Sequence, residues 1–309
     1  QLVPSPLLPV SAAYQFGIGE GGVVPSKVHW GDVRIEGNAD LGDALERFPV
    51  KDSFAPVNSD PYKESGRRDR WVDFEIGGRV KNPQSKTCGE CPHPFGDEGH
   101  GNIIQGLGEG NPGWGIDPWD YARLKRFARE WGTIYRPDSE GFVYSEKEGA
   151  AGKRLLAIEA LEAVRADGSR RPFVFIDTLD GLPPGEGNLA TLHLPVRYLK
   201  GIYAIHAHVV LSTSGPGRVI EARTPYPEGT EDPSGRRTIT LGGIHIDGIF
   251  SVTGNLQING DPWIYGALRV EGEVRGPGEP ELWYNADLAT GYFPGLPTVM
   301  IKKGSWFYQ

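Results

Sequence analysis

Cys88-Gly-Glu-Cys91 is the only cysteine pair in a chain of 309 residues. In an exported protein such a pair closes as a small local disulfide that pins a loop. His93 and His100 lie just beyond it, and a Cys-x2-Cys-x-His-x6-His run could instead hold a tetrahedral zinc. That histidine spacing is off the usual zinc pattern, so a Cys88–Cys91 disulfide is expected, with no metal and no other cofactor. A thioredoxin-like redox role would need a βαβ context, which the surrounding residues do not provide.

Arg67, Arg68 and Arg70, with Lys63 and Trp71 beside them, form the densest basic cluster outside a helix. Guanidinium groups pair with phosphates and a neighbouring aromatic can stack on a base. The competing reading is a solvated loop balanced by Glu64 and Asp69. Arg123, Lys125, Arg126 and Arg129 recur on what reads as the exposed side of a helix, where cations are ordinarily solvated.

His206 and His208 are two apart on a strand and could share a face as metal ligands, but no third ligand is evident and packing is the plainer role. Asp177 and Asp180 follow a strand. They could pair as carboxylates or bind calcium, yet Gly181 and Pro183 favour an ordinary turn. Asp247, Glu271 and Glu273 sit on outer strand faces, as the acids of polysaccharide-cleaving solenoids do, without spacing that pairs them. No nucleophile elbow, phosphate loop or zinc-protease motif is present, so the chain is not expected to be an enzyme.

The elements that must position these groups are organised by glycine. Gly242, Gly248, Gly254, Gly260, Gly266, Gly272 and Gly278 recur at every sixth residue. Ile244, Ile246, Phe250, Val252, Leu256, Ile258, Ile264, Leu268, Val270 and Val274 lie two and four places after them. All are even-numbered, so in an extended chain they share one face, while His245, Asp247, Ser251, Thr253, Gln257, Asn259, Arg269, Glu271 and Glu273 form a wetted one. Equal short strands with glycine at the corners are the mark of a β-solenoid, preferred here over a stack of antiparallel hairpins. Pro262 takes one apolar slot and marks a corner or edge. Gly31-Asp-Val-Arg-Ile-Glu-Gly37 and Val72 to Val80 repeat the alternation, so the solenoid is interrupted rather than confined to the C-terminus.

Between the repeats, Asn82 to Gly115 reads as a long loop. Asp117 to Gly132 reads as a helix, capped by Asp117 and stopped by Gly132, with Tyr121, Leu124, Phe127, Ala128 and Trp131 as its apolar stripe. A second helix is expected from Ala150 to about Ala166, burying Leu155, Ile158, Leu161 and Val164. Phe173 to Ile176 is a short buried strand, Tyr203 to Leu211 another strand run, and Thr213 to Arg237 a polar connection. Three regions result: 1–80 with N-terminal strands and first repeats, 81–200 rich in loops with two helices, and 201–309 with the C-terminal solenoid and an aromatic cap from Trp283 to Tyr308.

The 44 glycines and 26 prolines suit a turn-rich, mainly β chain. The net charge of −8 disfavours coating nucleic acid by overall basicity and leaves local patches to do any such work. No apolar run is long enough to span a membrane. Because the first residue is Gln1 and the only methionine is Met300, the numbered chain is expected to lack a preceding segment, and any export signal or anchor with it. Arginine outnumbers lysine about two to one, which fits a heat-stable protein.

Three stretches carry a resemblance. They are Trp119-Asp-Tyr-Ala-Arg-Leu-Lys-Arg-Phe-Ala-Arg-Glu-Trp-Gly132 with Thr133-Ile-Tyr135, the strand-turn Val174-Phe-Ile-Asp-Thr-Leu-Asp-Gly181, and the glycine-hexad tail ending in Gly304-Ser-Trp306. Together they resemble large minor pilins of the PilX-like kind, in particular the ComZ-type, competence-associated pilins of thermophilic bacteria. The likeness runs from about Val28 onward, and the anchoring apolar helix of a pilin is not among these residues. It implies a β-solenoid inserted in a pilin-like fold, displayed with other pilins on a type IV pilus at the cell surface. It also implies binding of double-stranded DNA during natural transformation. The expectation is therefore a mainly β chain, a parallel β-solenoid of glycine hexads with two helices and a pilin-like portion. The favoured role is capture of duplex DNA through Lys63, Arg67, Arg68, Arg70 and Trp71. A structural or adhesive surface protein binding protein or glycan is the alternative, and a solenoid polysaccharide enzyme comes third.

Overall fold

Period-two alternation makes strands of the glycine-rich segments, and the strands lie side by side in two stacks. The computed structural model describes residues 14–18, 21–23, 27–29, 32–40, 74–78, 80–81, 103–104, 106–108, 121–162, 173–178, 190–225, 236–278, 280–283, 285 and 288. The N-terminal part supplies β1 (Tyr14–Ile18), β2 (Gly21–Val23), β3 (Lys27–His29), β4 (Asp32–Ile35), β5 (Asn38–Asp40), β6 (Phe74–Ile76), β7 (Val80–Lys81) and β8 (Ile103–Ile104). Helix α1 (Tyr121–Trp131) leads into β9 (Thr133–Pro137) and β10 (Val143–Ser145), then helix α2 (Ala157–Glu162) and β11 (Phe173–Asp177). The C-terminal part supplies β12 (Thr191–Val196), β13 (Leu199–His206), β14 (His208–Thr213), β15 (Arg218–Pro225), β16 (Arg236–Val252), β17 (Leu256–Asn259), β18 (Trp263–Val270), β19 (Glu273–Arg275) and β20 (Glu281–Trp283).

The larger sheet runs β10-β9-β11-β13-β16-β18-β1-β4-β6-β8 and the smaller β12-β14-β17-β19-β2-β5-β7. Within these paths every pairing is parallel except β9 with β10. From β12 to β14, and from β16 to β20, the chain alternates between the two sheets. The run expected from Tyr203 to Leu211 is thus two strands, parted where the chain changes sheet at Ala207. The expected polar connection after Thr213 instead carries β15, which pairs antiparallel with the first half of β16.

The even-numbered apolar residues meet between the sheets. Ile246, Phe250, Val252, Leu256, Ile258, Ile264, Leu268, Val270 and Val274 share one core with Leu192, Leu194, Leu199, Tyr203 and Ile205. At one end of this core β11 and β9 extend the larger sheet past β13, whereas the smaller sheet stops at β12. There α2 contributes Ala157, Ala160 and Leu161 to the same core. Its start is closed by the Glu159 carboxylate, which accepts from the Leu156 amide at 2.7 Å.

The glycines do two different jobs, which corrects the expectation that all stand at corners. Gly254, Gly260, Gly272 and Gly278 lie between strands, and Pro262 follows Gly260 at a corner as expected. Gly248 and Gly266 lie inside β16 and β18, in register with each other and with Gly201 of β13. Their φ angles are +139° and +145°. A Cβ on Gly266 would sit inside the Gly248 carbonyl, and one on Gly248 inside that of Gly201. This glycine ladder lets the backbones close where no side chain fits. Because Gly248 faces Gly266, one passage from the larger sheet to the smaller and back takes three hexads.

The two repeat-bearing ends of the sequence are joined in space. β1 pairs with β18, Phe16 opposite Leu268, and β2 pairs with β19. The N-terminal strands therefore continue both stacks directly beyond the C-terminal ones. β3 also pairs with β20.

The odd-numbered face of the hexads is not uniformly wet. On the larger sheet, His245, Asp247, Ser251 and Arg269 are buried, against expectation. Leu124, Phe127 and Ala128 of α1 pack on Phe173, Phe175, Ile202, Ala204, Ile249 and Ala267. The β15–β16 arm brings Ala222 and Leu241 against Tyr198, Tyr265 and Trp283. On the smaller sheet the expectation holds, with Gln257 exposed and Asn259 and Glu273 half-buried. The expected stripe of α1 is corrected at its end, where Trp131 is 45% exposed. Gly132 follows the last helical residue, and Phe173 leaves no room there for a Cβ.

Candidate functional site

Asp177 closes β11 on the outer side of the larger sheet, opposite His206 of β13 in the parallel register. Helix α1 crosses above them, with Tyr121 and Lys125 one turn apart and so on the same side of the helix. The Lys125 ammonium donates to Asp177 Oδ2 at 2.5 Å and to the Tyr121 hydroxyl at 3.1 Å. The Tyr121 hydroxyl reaches both Asp177 oxygens, at 2.8 and 2.9 Å. The side chain of Asp177 has no exposed surface. Lys125, expected on the exposed side of the helix, is buried with it. Asp177 is therefore not part of a turn. Asp180, with which it was compared, lies outside the described residues.

The electrostatics follow from the geometry. Burial pulls Lys125 down, yet its bonds to Asp177 and Tyr121 outweigh that and leave its pKa raised. Burial raises Tyr121, Asp177 adds to the rise and Lys125 opposes it. Both shifts run away from neutrality, opposite to what a proton-transferring lysine or tyrosine needs at pH 7. The cluster is chemically a clamp: a neutralised carboxylate that fixes α1 to the strand beneath. The His206 ring lies 4.7 Å from Tyr121 and 5.0 Å from Phe175, and burial lowers its pKa to about 4. Towards solvent the network continues through Glu146. Its partial burial works against ionisation, but Arg136 at 2.8 Å and Arg129 at 3.4 Å hold its pKa below the usual carboxylate range.

The histidines expected as alternative ligands divide between the sheets. His206 faces α1 from the larger sheet, whereas His208 begins β14 in the smaller, where its Nδ1 accepts from the Asn255 amide at 2.9 Å. They share no face. His206 packs against Tyr121 and Phe175, and His208 is held by the Asn255 amide. His245 likewise accepts from the Trp263 amide at Nδ1 and bonds the Gly215 carbonyl through Nε2 at 2.9 Å. Among the described residues no group of three or more histidine, cysteine or acidic side chains is placed to hold a metal.

The three outward acids are each engaged by a cation. Asp247 takes the Lys200 ammonium at 2.8 Å and the Tyr198 hydroxyl at 3.2 Å. Glu271 takes Arg269 at 2.9 Å, and Glu273 takes Arg275. Lys63, Arg67, Arg68, Arg70 and Trp71 lie outside the described residues, as do Cys88, Cys91, His93 and His100. The sequence reading missed the Lys125–Asp177 pair, since the partners are far apart in the chain and each has a plainer local reading. It also missed the cations around Tyr198, where Arg218 lies over the ring at 5.1 Å.

Comparisons with protein families, curated proteins and solved structures found no match. No described helix is long and apolar enough to cross a membrane.

Proposed function

We propose that the chain is a parallel β-solenoid module of an exported, pilus-associated surface protein that binds double-stranded DNA for uptake. The observation that supports this reading is the strand stack itself. Three-hexad passages lie in parallel register, and the repeats from both ends of the sequence share them. It supports the β-solenoid part of what the minor-pilin resemblance implies. A parallel stack is a stiff body, and a stiff body can hold several cations at fixed spacing against a duplex.

The proposed contacts are Lys63, Arg67, Arg68, Arg70 and Trp71. A body at −8 repels DNA at long range, so binding comes from local phosphate contacts. Each neutralised phosphate adds about 0.9 to the slope of log affinity against log salt, so this loop contributes a slope of roughly 3 to 4 with little sequence preference. Measuring duplex binding against salt tests this. Converting the three arginines to alanine should remove most of that contribution and leave the melting temperature nearly unchanged. A wild-type protein that ignores duplex DNA at low salt ends the reading.

The Cys88–Cys91 disulfide belongs to the same proposal of an exported protein. Thiol titration of unfolded, unreduced protein should find no free thiol, whereas two thiols with one equivalent of zinc would favour the Cys/His site.

A structural or adhesive role is the second reading, favoured by the outer face of the smaller sheet. His193, Val210, Gln257 and Arg275 there form one row across β12, β14, β17 and β19. A row with one charged side chain in four suits a protein or glycan partner better than a polyanion.

A further inference from the structure

The corner between β12 and β13 gathers cations that are scattered in the sequence. Arg197 and Tyr198 form the corner and Lys200 follows in β13. The turn after β14 folds down on them: the Ser214 amide donates to the Val196 carbonyl at 2.9 Å and its hydroxyl to the Pro195 carbonyl at 3.0 Å. Gly215 then runs beside the Arg197 stem, where even an added Cβ would lie 3.5 Å from Cγ. Three residues on, Arg218 places its guanidinium 5.1 Å from the centre of the Tyr198 ring. The acid within this group is Asp247, which is buried and already holds Lys200 and Tyr198. Arg197 and Arg218 are exposed and make no ion pair with any described residue.

One exposed guanidinium, Arg218, is thus oriented by the Tyr198 ring, and a second, Arg197, extends from the adjacent residue along the turn at Gly215, near a buried carboxylate that Lys200 neutralises. Guanidinium forks of this kind match phosphate oxygens. The ring restricts Arg218 and lowers the entropy lost on binding. No acid of the group faces outward to repel an anion.

We propose that Arg197 and Arg218 form a second phosphate-contact site for the backbone of duplex DNA, on the β12–β13 corner and made of residues other than Lys63 to Trp71. This rests on the DNA reading above. Phosphate contacts position a duplex without reading its bases, so the site is indifferent to sequence.

The test is fluorescence anisotropy with a labelled duplex of random sequence, titrated at several salt concentrations. Wild-type protein is compared with R197Q/R218Q, with R197Q alone, and with R67Q/R68Q/R70Q. The double variant should lower the salt slope by about 1.8, and R197Q alone by about 0.9, without shifting the melting temperature. R197Q keeps the test decisive if Arg218 proves necessary for folding. Wild-type slope in both folded variants, with the loop variant reduced, would overturn the corner site and leave the DNA reading standing. A wild-type protein without duplex affinity would overturn both.

Discussion

The outer face of the larger sheet and the outer face of the smaller sheet are built from the same odd positions of the same hexads, yet one is buried and the other wet. Ser251 has no exposed surface, while Gln257, of the same parity and six residues on, is exposed. The difference comes from what lies on top. Helix α1 and the β15–β16 arm cover the larger sheet, and no described element covers the smaller one. Even positions are therefore set by the stack itself, and odd positions by the elements added to it.

The largest effect should come from the glycine ladder under the covered face. Gly266→Ala forces a Cβ into the Gly248 backbone at a φ that side chains avoid, and should cost more than about 4 kcal/mol in thermal or urea unfolding. Gly242, in the arm, has open space around its Cα, so Gly242→Ala should stay within about 0.5 kcal/mol. Equal losses at the two positions would break the distinction between ladder and arm.

Next comes the comparison of faces. Ile249→Asp, on the same covered face, buries a charge among Ile202, Ala204 and Ala267 and should cost on the order of 3 to 5 kcal/mol, whereas Gln257→Asp should change stability by less than about 0.5. Urea midpoints of the two variants decide it. Matching midpoints would mean that the larger sheet is not covered.

Asp177→Asn tests the clamp that holds the cover in place. It leaves the Lys125 ammonium buried without its counter-charge and should cost about 3 kcal/mol. Adding Lys125→Met should recover most of the loss, and a double variant no better than the single one would deny the coupling. Because the folded pKa of Lys125 is raised, its contribution is complete below the unfolded value. It is lost as pH climbs through the folded one, in the alkaline range.

The acid limb belongs to His206. Its pKa is about 4 when folded against 6.5 for an unperturbed imidazole, so the unfolded chain binds the extra proton between those values. Stability should then fall as pH drops from 6.5 towards 4, by at most about 3 kcal/mol. His206→Phe keeps an aromatic ring beside Tyr121 and Phe175 and should flatten that slope in pH-dependent melts. An unchanged slope would place the acid sensitivity elsewhere.

The inner half of this architecture is legible in sequence because side chains alternate with a period of two and the core reads only that parity. Ile246, Val252, Ile258 and Val270 could be assigned without coordinates. The outer half is not. His245, Asp247 and Arg269 look like solvent-facing residues, and they are buried with partners of their own: a carbonyl and an amide for His245, a lysine for Asp247, a glutamate for Arg269. Lys125 fails for the same reason, since its partner arrives from a strand distant in sequence. Glycine spacing shows where a Cβ is excluded but not whether a corner or a neighbouring backbone excludes it. The hexad of Gly31 to Gly37 announced a second set of repeats, while its docking on β18 rests on a pairing that leaves no local mark.

That docking has a kinetic consequence. The turns from β16 to β18 and from β18 to β20 close over three hexads, but the seam between β1 and β18 closes over about 250 residues. In loop-closure terms the seam costs roughly 2 kcal/mol more than one turn. The C-terminal turns should therefore nucleate first and the N-terminal strands zip onto them as a late addition. On unfolding the order reverses, and amide exchange in β1, β2 and β4 should precede exchange in β16 and β18. A pull on the N-terminal strands would open the seam before it strained the glycine ladder, so the molecule carries its mechanical fuse at the joint between its two sets of repeats.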